Sequence, residues 1–294
     1  MAENINHLPL FVTSKPAQIR VPFLFNSPHS GRVYPIEFID KSVLEPAQLR
    51  LSEDAFVDLL FQDVVSIGAV FLAVNFPRAF VDVNRDAYEL ETSHINDVPQ
   101  GFGALSTLRA KAGLGVVPTI VTMDKPIYAK KLNFQDVIDR INQYYFPYHH
   151  TLDIELLNIE KQFGYSVLID CHSMPSHLKF FDGIKQPDII LGDNNGLSCA
   201  PELILRAAEL LTEKGYDVVC NQPYSGGFIT KHHGRPFQNR HVLQIEINRA
   251  LYMDERLIEI HQGFQQLHKD IMSICADLIS LPDHSFICFQ NAAE

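Results

Sequence analysis

The chain has 294 residues, 46% of them hydrophobic and 20% charged, with 15 Gly and 17 Pro. This composition excludes disorder, low-complexity and collagen-like chains. A formal charge of −11, from 24 Lys and Arg against 35 Asp and Glu, argues against nucleic-acid or anionic-membrane partners, which need a basic face.

In chain order, Val21–Phe25, Ala69–Val74, Val116–Val121, Ser166–Asp170, Asp188–Leu191, Asp217–Cys220 and Val242–Ile247 read as strands. Each is a short run rich in Val, Ile, Leu or Phe and bounded by turn residues. Helical spacing covers about Ser52–Ser66, capped by Ser52 and ended by Gly68,. It recurs over Phe134–Phe163, which Pro147 should kink or break, over Pro201–Lys214, and over Asp254–Leu278,. Alternating strands and helices predict a single α/β domain over 1–294, with a mixed, mostly parallel central sheet flanked by helices. Long loops near 75–115 and 221–241 stand out as functional candidates.

The opening MAENINHLPLFVTSKP lacks the basic start and apolar run of a signal peptide,. No segment approaches the about 20 apolar residues of a membrane span. Cys171, Cys199, Cys220, Cys275 and Cys288 form no C-x-x-C pair and read as buried free thiols,. Together these features predict a cytoplasmic protein. Zincin, nucleophile-elbow, P-loop and dinucleotide-binding signatures are all missing.

Chemistry collects at three strand ends. Asn26-Ser-Pro-His29-Ser-Gly31 and Asp170-Cys-His172-Ser-Met-Pro175 place a histidine just beyond a strand, where ligands bind in open α/β sheets,. Two such histidines can converge on one metal ion, with Asp170 orienting a ring, or they can be satisfied histidines at loop starts. In Val242–Asn248, Leu243, Ile245 and Ile247 alternate with Gln244, Glu246 and Asn248. Glu246 is thus either a general base or a residue on a solvated edge. Arg78, Asn84 and Arg85 gather donors suited to a carboxylate or developing oxyanion, or else pair with Asp82 and Asp86 at the surface,. His94–Asp97 and His150–Asp153 have H-x-x-D spacing but follow no strand, so neither is assigned as a zinc pair,.

These segments, with Ser52–Asp58, Arg78–Asp86, Pro223–Pro236 and Gln244–Asp254, resemble the N-formylglutamate amidohydrolase (deformylase) family. That family is similar to the zinc carboxypeptidase and aspartoacylase superfamily, so the resemblance implies a phosphorylase/hydrolase-like, zinc-carboxypeptidase-like fold. It implies hydrolysis of N-formyl-L-glutamate to glutamate and formate, the last step of histidine degradation. His29 and His172 would hold one Zn²⁺, with Co²⁺ or Mn²⁺ as possible replacements. Arg32 stands where the superfamily has an acidic ligand, so Asp54 becomes the third ligand, with Glu53 as its rival.

By the same resemblance Glu246 would activate water and Arg78 would stabilise the oxyanion. Asn84 and Arg85 would clamp a carboxylate of a small dicarboxylate substrate. Tyr224, Gly226, Gly227, His233 and Arg249 would complete the substrate site, with Lys231 or Arg235 as further sources of positive charge. The competing readings are an aspartoacylase-like N-acyl amino acid amidohydrolase, a carboxypeptidase, and a non-catalytic dicarboxylate binder. Oligomeric state is not readable from these residues.

Overall fold

The computed structural model describes residues 8–121, 125–181, 183 and 185–287. Seven strands form the main sheet: β1 (Phe11–Ser14), β2 (Phe23–Ser27), β3 (Val70–Val74), β4 (Ser166–Met174), β5 (Ile189–Gly192), β6 (Val218–Cys220) and β7 (Arg240–Asn248). Their order is β1-β3-β2-β4-β7-β5-β6. β2 and β4, β4 and β7, and β5 and β6 pair in parallel, whereas β5 runs antiparallel to β7. The chain therefore has an α/β fold with a mostly parallel central sheet flanked by helices. Every residue of β4 is buried, as a central strand covered on both faces must be.

Two compact units divide the contacts. One holds Thr13–Ser27, Phe56–Leu72 and the chain from Asp153 onward. Within it, α1 (Val57–Phe61), α4 (Pro201–Glu213) and α6 (Gly263–Ile279) pack together. Their buried faces include Leu60, Leu203, Leu210, Leu267 and Ile274. The register sets Asp170 beside Gln244 and His172 beside Glu246. Neighbouring parallel strands point paired residues to one face, so these four polar residues share a face.

The other unit holds the chain up to Val12, Pro28–Ala55 and Ala73–Leu152. Its aromatic centre has Phe38 and Phe80 5.2 Å apart, with the Arg140 guanidinium 4.3 Å from the Phe80 ring centroid. Arg140 comes from α2 (Phe134–Arg140), and its Nη1 donates to the Tyr128 hydroxyl at 2.8 Å. Apolar stacking and a buried cation over an aromatic face make this centre.

Several expectations are corrected. Val116–Val121 is a loop: the Val116 amide donates to Glu89 and its carbonyl accepts from Asp82, in place of strand partners. An apolar run signals burial without identifying what satisfies its backbone. The helix expected from Asp254 begins at Gly263. Asp254 Oδ1 instead accepts from the Arg256 and Leu257 amides, closing a turn between short strands paired Met253 to Ile260.

Ser52 ends a 3-10 turn, Arg50–Ser52, and α1 starts after Phe56, whose φ is 66°. A 3-10 segment continues from Gln62 to Ile67 before Gly68 at φ 100°. Pro147 does not break its helix, because Ile141–Tyr145 forms a π-turn between α2 and α3 (Phe146–Phe163). The widened turn accommodates the ring and missing donor of the proline.

Cys171, Cys199 and Cys275 are buried free thiols, but Cys220 is exposed; Cys288 lies outside the described residues, as does the end of the 281–294 tail. Among the described residues, no helix is long and apolar enough to cross a membrane.

Candidate active site

The Pro-His-Ser-Gly turn after β2 is held by a close backbone approach. Val33 N donates to Asn75 O at 2.8 Å. A Cβ on Gly31 would lie 2.0 Å from the Phe76 carbonyl oxygen, so only glycine fits,. This locks His29, which is 1% exposed. Its Nε2 lies 2.8 Å from Asp82 Oδ1, and its Nδ1 lies 3.3 Å from Asp54 Oδ2. The second histidine, His172, is 2% exposed, with Nε2 2.9 Å from Asp170 Oδ2. Asn26 Nδ2 donates to the other Asp170 oxygen at 2.9 Å. Each ring thus has Nε2 beside a carboxylate, leaving Nδ1 as its remaining ligand atom.

His29 and Asp54 stand together in one unit, and His172 is buried on β4 of the other; all three are candidate metal ligands. Two imidazoles and a carboxylate, each ring backed by a further carboxylate, suit a divalent metal such as zinc. Glu53 faces other partners: it accepts from the Tyr34 hydroxyl at 2.6 Å and pairs with Arg50 at 3.2 Å. Burial raises its pKa, against the lowering effects of Tyr34 and Arg50. Of the two rival carboxylates, Asp54 is the one that lies beside His29.

Asp82, expected as a surface partner of Arg78 and Arg85, is buried and joins them to His29. Besides His29, it accepts from Arg78 Nε at 3.0 Å and the Asn84 amide at 2.9 Å, and it lies 3.7 Å from Arg85 Nη2. Burial raises its pKa, but Arg78, Arg85 and His29 outweigh that and hold it well below the usual carboxylate range. Arg85 donates to the Leu114 and Asn84 carbonyls, and burial lowers its pKa. Tyr145, in the π-turn, donates to Arg85 O at 2.8 Å, and His149 Nε2 lies 2.9 Å from Val83 O. The i,i+4 spacing of Tyr145 and His149 in a helical stretch is the only sequence trace of this support. Arg78 remains 28% exposed at its side chain.

On β7, Gln244 links two candidates. Its Nε2 donates to Glu246 Oε1 at 3.0 Å, and its Oε1 accepts from the Gly227 amide at 2.9 Å. Glu246 is only half-buried and is paired on its strand face. The preceding Gly226 has φ 118°, and a Cβ there would strike Thr230. Arg249 is buried, with Nε donating to Ser173 Oγ at 3.1 Å. Tyr224 packs against the buried cluster of Met174, Phe181 and Ile190. His233, at the end of α5 (Phe228–His233), is buried with Nδ1 3.2 Å from Asp153 Oδ1, so the loop histidine has a helix carboxylate as a close neighbour.

The chain has an α/β sheet with candidate metal-binding residues, His29 just beyond β2 and His172 on β4, the latter in register with Glu246 of β7. The sequence model of the N-formylglutamate amidohydrolase family matches residues 21–253. N-formylglutamate deformylase of Pseudomonas aeruginosa is 33% identical over 242 residues, covering 81% of this chain and 84% of that protein. The Pseudomonas putida deformylase is 32% identical over the same shares. The crystal structure of an N-formylglutamate amidohydrolase from Ralstonia eutropha JMP134 superposes with a TM-score of 0.87 at 34% identity, covering 92% of this chain and 98% of that one. A gene product of Agrobacterium tumefaciens shares the fold, with a TM-score of 0.67 at 15% identity. The chain belongs to the N-formylglutamate amidohydrolase family.

Proposed function

We propose that this chain is a zinc-dependent amidohydrolase that converts N-formyl-L-glutamate and water to L-glutamate and formate. The reading is supported by the buried candidate ligands His29, Asp54 and His172, in a family whose named relatives are N-formylglutamate deformylases. These three side chains would hold one divalent ion. When bound, it supplies Lewis-acid polarisation and makes water more acidic.

Glu246 takes a proton from the attacking water on its carboxylate, and water oxygen bonds to the formyl carbon. The same carboxylate returns a proton to the amide nitrogen as the C–N bond breaks, so atoms and charge balance. The Arg78 guanidinium stabilises the oxyanion, and its partial exposure leaves N–H groups for substrate,. Asn84 and Arg85 bind one substrate carboxylate; Arg249 and the segment with Tyr224, Gly226 and Gly227 bind the rest. Loops 75–115 and 221–241 are the active-site loops of this hydrolytic chain. The reading assigns the enzyme to cytoplasmic histidine breakdown.

Formate release from N-formyl-L-glutamate, before and after chelation and with zinc added back, tests it. Activity lost to the chelator and restored by zinc is expected. Turnover unaffected by complete metal removal would overturn the zinc requirement. Formate release absent with zinc fully bound would overturn the substrate, and formyl-, acetyl- and aspartyl-derived amides would then be compared.

A further inference from the structure

A second group of ligand atoms includes His233, which the family resemblance placed in the substrate site, and lies apart from His29, Asp54 and His172 in sequence. Asp153 on α3 and the adjacent His232 and His233 at the end of α5 each offer one atom, all within 4.8 Å of one another. Neighbouring helical residues project about 100° apart, yet here both imidazoles come close to one carboxylate. Their rings stand 86° apart with centroids separated by 4.8 Å. His233 is buried and His232 exposed, so the group has one fixed imidazole and one reachable from solvent.

We propose that Asp153, His232 and His233 form a second divalent-metal site, of the zinc class, that ties α5 to α3. The His233 Nδ1 to Asp153 Oδ1 separation of 3.2 Å approximates the edge of a tetrahedron with metal–ligand bonds of about 2.0–2.1 Å. Exposed His232, stacked on Phe228 with ring centroids 4.8 Å apart, would leave that contact to bring in the third atom. Two imidazoles and one carboxylate favour zinc, copper or nickel over calcium or magnesium.

The adjacent cation is largely neutralised elsewhere. Arg240 contacts Asp153 Oδ1 at 3.1 Å, but Glu160 holds it in a two-point pairing at 2.5 and 3.0 Å. The second Asp153 oxygen offers a further ligand atom. Metal binding would brace α5, which follows the Gly227 segment bound to Gln244.

Zinc per chain, measured by equilibrium dialysis against micromolar free zinc and atomic emission, tests the site. The full chain is compared with His232→Ala, Asp153→Asn and His172→Ala. We expect two ions in the wild type and one in each variant. His232 is exposed, so its truncation keeps the test informative if Asp153→Asn misfolds.

Wild-type stoichiometry in His232→Ala overturns the proposal, as does a wild type that binds no zinc. If the wild type binds one ion, loss in His232→Ala but not His172→Ala supports this site and overturns the His29–Asp54–His172 reading. Loss in His172→Ala but not His232→Ala overturns this site and supports the other.

Discussion

Replacing Asp82 with asparagine should damage the protein's stability and its metal affinity by separable amounts. The carboxylate contacts His29 at 2.8 Å, Arg78 at 3.0 Å and Arg85 at 3.7 Å. Arg78, with 28% side-chain exposure, can regain water, whereas Arg85 is only 10% exposed. At 3.7 Å and an effective dielectric of about 20, the Asp82–Arg85 attraction is about 4.5 kcal/mol before desolvation,. Breaking a buried pair while leaving one charge typically costs about 3–5 kcal/mol. Arg85 retains carbonyl partners on Leu114 and Asn84, placing the expected loss near about 3 kcal/mol. The urea midpoint should fall by about 1 M. Zinc affinity, measured on folded protein by competition with a chromophoric chelator, should weaken about 10–100-fold because the His29 ring loses its orienting carboxylate. Unchanged urea midpoint and unchanged zinc affinity together would refute this account of Asp82.

Gly31→Ala places a Cβ 2.0 Å from Phe76 O; about 1–3 kcal/mol of destabilisation is expected, with kcat reduced about 100-fold by displacement near His29. Wild-type melting and turnover would show that the turn gives freely. Glu246→Gln should retain zinc while kcat falls about 10²–10⁴-fold, so full turnover in a zinc-loaded variant would remove Glu246 from proton transfer. The Asp82 carboxyl has a depressed folded-state pKa. Its stabilisation is present above the unfolded value of about 3.9 and is lost as pH falls through the lower folded value. Urea midpoints measured from about pH 5 down to about pH 2 should therefore fall more steeply in wild type than in Asp82→Asn; parallel curves would reject the linkage.

The strand–helix alternation was legible along the chain, because short branched apolar runs and longer helical periods follow from local burial geometry. So was the placement of His29 just beyond β2 and of His172 and Glu246 on β4 and β7, since polar residues in apolar strand runs mark where compensation is needed,. How the adjacent Glu53 and Asp54 part ways was decided only by folding: Tyr34 and Arg50 engage Glu53, while Asp54 lies beside His29. Folding likewise made Asp82 the hub of an Arg78–His29–Arg85 network and brought Asp153 to histidines far along the chain. Arg78 and Arg85 stand only four and three residues from Asp82, but nothing local points to His29 as its partner or to the Asp153 contacts. Electrostatic partnerships depend on distances across the folded chain, and sequence separation does not encode those distances.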